Sequence, residues 1–348
     1  MSSNSTSSNS TRSQALVPDP PAQNSASWRA LVRWESGLVL VLLASILFGA
    51  SESPHFLTST DVFFIGLNMG EIAIMALPLT LIVMTGEIDL SVASMLGLSS
   101  TLLGYFFEHH WPIAWAIVAV LVVGAAGGAL NGLLVTKLGL PSIAVTIGTL
   151  TLFRGIAEIV LGSNSVGGFP QSLTKAGVVP IPHTKIAYSM GIFLVMAVIF
   201  GVVLHATPVG RSIFAIGLQS EAARFSGIRV TRIKFLLYVL SGAVCAFAGV
   251  LWTMRFDTSR YDAGTGLELT VVAAVLLGGV SIFGGRGTIF GVVIAIVVIG
   301  CIQEALTLMN VAAQVQNIVT GGLLLVSVVV PNSTEAVRRI RARAVRRQ

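Results

Sequence analysis

The sequence predicts an all-α, polytopic membrane protein with about ten transmembrane helices. Charged residues make up only 10% of the chain and hydrophobic residues 54%, with a mean hydropathy of +0.87. A soluble domain usually carries about 25% charged residues, because its surface faces water. The apolar residues also form continuous runs, whereas the strands of a transmembrane β-barrel alternate apolar and polar residues. The composition therefore excludes an ordinary soluble enzyme, a disordered protein and a nucleic-acid-binding protein.

Composition divides the chain into three parts. Residues 1–35 are predicted to be a disordered cytoplasmic segment, since the first 27 are rich in Ser, Asn and Thr and lack an apolar stripe. Residues 36–331 are the predicted transmembrane domain, and residues 332–348 a basic cytoplasmic tail with six arginines and one acid. Such a tail is expected to contact anionic lipid headgroups rather than nucleic acid.

Ten apolar runs are candidates for transmembrane helices, each of which needs about 20 residues. They lie at 37–51, 62–84, 91–107, 112–135, 140–161, 187–205, 235–253, 264–283, 288–305 and 313–331. If both termini are cytoplasmic, 16 basic residues fall inside and 4 outside, with Arg154 within a span. The positive-inside rule favours this orientation.

The predicted cytoplasmic loop 206–234 carries five basic residues and one acid. Leu218, Ala222 and Phe225 lie at i, i+4 and i+7, which predicts an apolar stripe on a short helix, and Gly227 can end that helix. A short amphipathic helix of this kind can dock into a groove on a cytoplasmic partner. It can also rest on lipid headgroups, and composition does not decide between the two.

The stretch GLQSEAARFSGI at 217–228 resembles the coupling-helix motif of permease subunits of bacterial ABC sugar importers of the ribose-type branch. The resemblance covers residues 36–331, looks nearest to the permeases for autoinducer-2 and rhamnose, and includes four further motifs. These are TGEIDLSVAS (85–94), ALNGLLVTKLGLPSIAVTIGTLTLFRG (129–155), AGTGLELTVVAAVLLGGVSIFGGRGTIFG (263–291) and TGGLLLVSVVV (320–330).

The resemblance implies an ABC importer permease fold of ten helices with inverted repeats, in the bacterial inner membrane. It also implies a second permease subunit (a homodimer or a heterodimer), cytoplasmic ATP-binding subunits and a periplasmic sugar-binding protein. This chain would have no catalytic residue, metal or cofactor, and its partner subunit would use ATP and Mg²⁺. The implied coupling residues are Gly217, Glu221, Ala222, Ala223, Ser226, Gly227 and Ile228.

The implied function is translocation of a monosaccharide or sugar-like solute of the ribose, rhamnose or autoinducer-2 class. No G-x-x-x-x-G-K-[ST] phosphate loop is present, so ATP hydrolysis would require another polypeptide. Two alternatives remain at this point. An ion-coupled secondary transporter would use buried carboxylates, and a passive channel would need no energy source.

Five polar residues in the predicted spans are candidates for the solute pathway: Glu71, Asn131, Arg154, Glu158 and Gln303. Charges at membrane depth are costly and need a partner or water. Arg154 and Glu158, at i and i+4, are predicted to form a salt bridge in preference to contacting solute. Glu71 would line the pathway or lie at a subunit contact. Asn131 would make an interhelical hydrogen bond on a glycine-rich face, and Gln303 would lie at a solvated helix end or contact solute.

Two polar, glycine-rich interruptions at 85–94 and 278–287 stand out among the apolar runs. Broken segments tend to line the pathway in transporters. Glu87, Asp89 and Ser91 in the first interruption are predicted to cap the helix that follows, where carboxylates are favourable. A role in gating is the alternative.

Overall fold

Helices dominate the structure, which confirms the predicted all-α class. The computed structural model describes the backbone of residues 26–345 and the side chains of residues 36–329. In those ranges the helices are α1 (Ala26–Glu52), α2 (Ser59–Met84), α3 (Val92–Glu108), α4 (Ile113–Thr136), α5 (Ser142–Leu161), α6 (Gln171–Val178), α7 (Tyr188–Ala206), α8 (Pro208–Leu218), α9 (Ser220–Phe225), α10 (Val230–Phe256), α11 (Leu267–Leu277), α12 (Ile289–Leu308) and α13 (Ala313–Val345). Two short strands, β1 (Val166–Gly167) and β2 (Thr258–Ser259), pair antiparallel.

Six of the described helices are long and apolar enough to cross a membrane: α2, α4, α5, α7, α10 and α12. Each of the ten predicted spans overlaps a helix, but the number ten stays a prediction. The span predicted at 264–283 is the least accurate, because α11 has only 11 residues. Positive φ angles at Gly266 (+88°) and Gly279 (+83°) mark the glycine turns that flank it.

The terminal helices extend beyond the apolar runs that predict them. α1 begins at Ala26 and α13 continues to Val345, inside the predicted terminal segments 1–35 and 332–348. The disorder predicted for residues 1–25, and the side chains of the basic tail, lie outside the described residues.

Helix α2 is the centre of the bundle. It packs against α7, α10, α11 and α12, and its residues are almost all buried from Ile65 to Met84. Helices α4 and α7 instead present large apolar side chains outward, with Val122 62% and Val198 67% exposed. An apolar surface of this kind is suited to lipid rather than water.

Glycines bring α4 and α10 into backbone contact, as the predicted packing face requires. A Cβ at Gly128 would lie 2.1 Å from the Tyr238 carbonyl oxygen, and one at Gly242 would lie 2.1 Å from that of Gly124. Small residues permit this close approach of two helices in a membrane.

The segments between the predicted spans contain helices that the sequence analysis did not assign. Residues 162–186 include β1 and α6, and the predicted loop 206–234 includes α8 as well as α9. The predicted apolar stripe is wrong in one respect, because Leu218 ends α8 and only Ala222 and Phe225 lie in α9. The chain turns between these helices at Gln219, whose backbone is extended (φ −161°, ψ 99°).

Candidate functional site

The end of α8 meets both predicted interruptions at one place, which we call the glycine junction (Met84, Gly86, Gly217, Gly284 and Gly285). The Gly285 N–H donates a hydrogen bond of 2.9 Å to the Met84 carbonyl oxygen. A Cβ at Gly217 would lie 1.9 Å from that oxygen and 2.2 Å from the Gly285 nitrogen. The segments 85–91 and 278–288, both non-helical as predicted, therefore touch each other and the start of the predicted coupling segment.

Helix α9 follows the junction directly and ends as predicted at Gly227. The Gly227 N–H donates to the Arg224 carbonyl (3.0 Å), and the Ile228 N–H donates to the Ala223 carbonyl (3.1 Å). This pair of hydrogen bonds, with Gly227 at φ +83°, is a Schellman motif. The sequence fixes the length of α9 at this glycine.

The outer face of α9 is uncovered in this chain. Phe225 is 91% exposed, and the predicted coupling residues Glu221, Ala222, Ser226 and Gly227 are also exposed. Of the other predicted coupling residues, Ala223 is buried, Ile228 is half-buried and Gly217 lies in the junction.

Charged and polar side chains hold the first interruption beside the junction. Lys234, in the first turns of α10, forms an ion pair with Glu87. The Ile88 N–H donates to Ser142 Oγ of α5 at 3.2 Å. Residues 85–91 are thereby tied to the two helices that begin at the same end of the bundle. This end also carries most of the basic loop residues, and we call it the basic end.

The predicted helix caps in this interruption are only partly correct. Asp89 accepts hydrogen bonds from the Ser91 N–H (3.0 Å), Ser91 Oγ (2.6 Å) and Ser241 Oγ (3.0 Å). Ser91 precedes α3 but makes no capping hydrogen bond with its own side chain. The capping prediction is therefore wrong for Ser91. It is also wrong for Glu87, whose carboxylate accepts a hydrogen bond from Lys234 Nζ instead.

Asn131 makes the interhelical hydrogen bond predicted for it. Its Nδ2 donates to Ser91 Oγ at 2.8 Å, which links α4 to the residue preceding α3. Its side chain is 1% exposed, and its Oδ1 accepts no hydrogen bond from the residues that the structure describes.

Glu71 has a partner at the opposite end of the bundle. Its carboxylate lies 3.1 Å from Arg255 Nη1 of α10, and the same nitrogen donates to the Leu67 carbonyl at 2.7 Å. Arg255 Nη2 also donates to Asn68 Oδ1. The sequence signalled that a buried acid needs a cation, but a separation of 184 residues concealed which one.

The salt bridge predicted between Arg154 and Glu158 is wrong. Arg154 Nη1 instead donates to the carbonyl oxygens of Tyr261 and Ala263, both at 2.8 Å. Glu158 is exposed, and the ion pairs of the described chain do not include it. The half-buried guanidinium finds two carbonyl acceptors in the loop before α11, and this satisfies it better than one exposed carboxylate on its own helix.

The five predicted pathway residues do not form one cluster. Gln303 donates to Thr320 Oγ1 of α13 at 3.3 Å, while Glu71, Asn131 and Arg154 make the separate contacts described above. The glycine junction, by contrast, gathers three distant segments. It is the candidate functional site.

Comparison with known proteins identifies the family. Residues 62–328 match the model described as "Branched-chain amino acid transport system / permease component". The chain belongs to this permease family.

Curated relatives agree with the match. The permease is 33% identical over 302 residues to the "Autoinducer 2 import system permease protein LsrD" of Photorhabdus temperata, covering 85% of this chain and 90% of the relative. The protein of that name from Yersinia enterocolitica is 35% identical, with coverages of 85% and 91%. The one from Salmonella typhi is 33% identical, with coverages of 87% and 92%. No solved structure matches the chain.

These findings confirm the resemblance to permeases of ABC sugar importers. The chain is therefore a multi-pass permease subunit of the inner membrane. Nothing in the family or its relatives favours the ion-coupled alternative.

Proposed function

We propose that this permease subunit carries a sugar-like solute inward, with autoinducer 2 as the first solute to test, in an importer driven by ATP hydrolysis in partner subunits. The relatives' names support the choice of solute. One observation supports the mode of coupling: Gly217 touches both interruptions in the bundle, and α9 beside it is exposed.

The proposed assembly places the basic end of the bundle in the cytoplasm, as the positive-inside rule favours. ATP-binding subunits dock on α9, and ATP and Mg²⁺ bind to those subunits and not to this chain. A periplasmic binding protein delivers solute at the opposite end, and a second permease subunit completes the pathway.

The coupling step depends on direct contact between backbone atoms at the glycine junction, where Gly217, Gly284 and Gly285 have no side chain. A displacement of α9 acts through Gly217 on the Met84 carbonyl and on Gly285, where backbone atoms are already in contact. Close-packed atoms transmit displacement because they cannot be compressed. Residues 85–91 and 278–288 then move together, which is a switch of one packed interface between two states.

The test uses the full importer in membrane vesicles. Phe225→Glu and Glu221→Lys alter exposed side chains of α9, so the fold should not change. We expect both variants to insert normally but to lose co-purification of the ATP-binding subunit and ATP-dependent uptake of autoinducer 2. Val178→Glu, an exposed apolar position on α6, is the matched control and should retain co-purification.

Two results would contradict the proposal. Normal ATP-dependent uptake in both α9 variants would remove α9 from the coupling route. Uptake that persists after ATP depletion and collapses with an uncoupler would support the ion-coupled alternative instead.

A further inference from the structure

A cavity of about 410 Å³ lies at the opposite end of the bundle, and none of the predicted site residues is among those that line it. Its volume falls within the range of about 300–1,000 Å³ that is typical of small-molecule sites. It lies between the last turns of α10 and the loop 257–266 that leads into α11. Its lining consists of Trp252, Phe256, Thr258, Arg260, Asp262, Ala263, Gly264, Thr265 and Leu267.

One wall of the cavity is aromatic. Trp252 and Phe256, one helical turn apart on α10, have ring centroids 4.5 Å apart and planes inclined at 43°. Arg255 lies over the Phe256 ring, with its guanidinium carbon 4.7 Å from the ring centroid. Aromatic faces of this size contact the apolar C–H faces of ring-shaped solutes.

The other wall presents a fixed set of polar groups. Arg260 Nε and Nη2 donate to the two carboxylate oxygens of Asp262 at 2.9 and 2.8 Å, which is a bidentate arrangement. Thr265 Oγ1 donates to the Asp262 carbonyl oxygen at 2.6 Å. Both side chains are exposed (57% and 42%), so their remaining lone pairs and N–H groups can bind hydroxyl groups. Because the pair is neutral as a whole, it suits a solute without charge.

The loop that carries these groups is held from several sides. Arg154 of α5 binds two of its carbonyls, and Gly97 of α3 leaves room for that guanidinium, since a Cβ there would lie 2.5 Å from Arg154 Nη1. The Asp257 carboxylate accepts the Phe169 N–H at 2.9 Å. Gly264 (φ +69°) and Gly266 (φ +88°) permit the turn before α11. A site whose walls are fixed in advance loses less entropy on binding.

We infer that this cavity binds a neutral, polyhydroxylated solute between the aromatic wall of Trp252 and Phe256 and the Arg260–Asp262 pair. The AGTG segment at 263–266, a weak signal in the sequence, forms part of its lining. The inference rests on the proposed function, because it assigns the solute's first contact on this chain. An anionic lipid headgroup would require a surplus of positive charge, and Asp262 cancels that of Arg260.

The test measures protection of an introduced thiol in the full importer. The native cysteines, Cys245 and Cys301, are free and buried, so a membrane-impermeant thiol reagent should label them slowly. Thr265→Cys places an exposed thiol at the mouth of the cavity. Ser172→Cys, exposed on α6 at the same end, is the matched control. The probes are autoinducer 2, D-ribose and L-rhamnose, added without the binding protein up to tens of millimolar.

We expect at least one probe to slow labelling of Thr265→Cys several-fold and to leave Ser172→Cys unchanged. Adding Trp252→Ala or Asp262→Asn to Thr265→Cys should remove the protection. Two outcomes overturn the inference: equal protection at both positions, or no protection by any probe, in which case slow labelling indicates a resident lipid.

A parallel uptake assay distinguishes this inference from the proposed function. Vesicles that import solute with ATP but show no protection would contradict the cavity site alone. Vesicles that show protection but no ATP-dependent uptake would contradict the proposed function and leave the site supported.

Discussion

The two ends of the bundle are held together by different chemistry. At the basic end, Gly217, Gly284 and Gly285 let backbone meet backbone with no side chain between them. At the opposite end, the long side chains of Arg154 and Arg255 reach across to distant carbonyl groups. Backbone atoms in contact cannot be compressed, so the first arrangement suits the transmission of movement. Hydrogen bonds from Arg154 to two loop carbonyls hold the loop in place, so the second arrangement suits a binding site whose walls are fixed in advance.

Loss of the buried ion pair between Arg255 and Glu71 should be the most destabilising of these changes. Arg255→Ala leaves the Glu71 carboxylate buried without its cation, and breaking a buried pair costs about 3–5 kcal/mol. We expect a clear fall in the melting temperature of the detergent-solubilised protein. Arg255→Ala combined with Glu71→Gln should recover part of the loss, because no charge is then stranded. A melting temperature unchanged in Arg255→Ala would show that water already solvates this carboxylate.

A single methyl group at the glycine junction should have the next largest effect. Gly217→Ala places a Cβ 1.9 Å from the Met84 carbonyl oxygen, so backbone must move. Overpacking of this kind costs about 1–3 kcal/mol or more, and we expect ATP-dependent uptake to fall at least about tenfold. Gly148→Ala is the control, because no atom lies within 4 Å of that Cβ. Equal uptake in the two variants would mean that the junction is not packed as described.

The matching substitution at the opposite end should be milder. Gly97→Ala brings a Cβ to 2.5 Å from Arg154 Nη1 and to 2.7 Å from the Ala263 carbonyl oxygen, which are longer distances than the 1.9 and 2.2 Å at Gly217. A cost of about 1–3 kcal/mol is expected as Arg154 and the loop backbone shift. The loop 257–266 should loosen, and the thiol of Thr265→Cys should then react faster. Unchanged reactivity would argue that Arg154 does not anchor this loop.

Gly227 should tolerate substitution better than Gly217, because it is needed for its backbone angle and not for space. Its φ is +83°, and no atom lies within 4 Å of the position that a Cβ would take. Gly227→Ala should cost about 1 kcal/mol, with Gly227→Asn closer to wild type because Asn adopts this conformation more readily. Co-purification of the ATP-binding subunit would report the order Gly, Asn, Ala. The reverse order would contradict the Schellman motif.

The smallest effect concerns pH. The hydrogen bonds from Arg260 lower the pKa of Asp262 below its usual value. Above about pH 3.9, the usual pKa of an unfolded-state Asp, the ion pair contributes its full stabilisation. That stabilisation is lost only as the pH falls through the lower pKa that Asp262 has in the folded protein. Solute protection of Thr265→Cys, scaled to Ser172→Cys, should therefore be constant from about pH 8 to pH 5. A loss of protection near pH 6 would assign the polar contact to another group.

Local signals predicted much of the basic end. Glycine spacing predicted a close-packed face on α4 but not its partner α10. Polar, glycine-rich sequence marked both interruptions, and Gly227 predicted the end of α9. Each of these depends on residues that are close in sequence. Nothing local indicated that Gly217 and Gly285, 68 positions apart, would touch.

The opposite end was harder to predict for the same reason. Helical spacing favoured Arg154 with Glu158, but such a pair is worth only about 0.2–0.5 kcal/mol. Two carbonyl acceptors more than 100 residues away displace it, since the half-buried guanidinium needs acceptors on the side that faces the protein. The cavity was missed because Trp252 and Asp262 become neighbours only when the loop folds back over α10.

The exposed Phe225 ring of α9 also affects how the complex assembles. Phe225 is 91% exposed, and Leu218 and Phe283 nearby are 69% and 73% exposed. A permease subunit synthesised in excess of its partner subunits would leave this hydrophobic surface exposed in the cell, where proteases and chaperones recognise such surfaces. Balanced production of the subunits, and their joining soon after synthesis, follows as a requirement of the same few side chains.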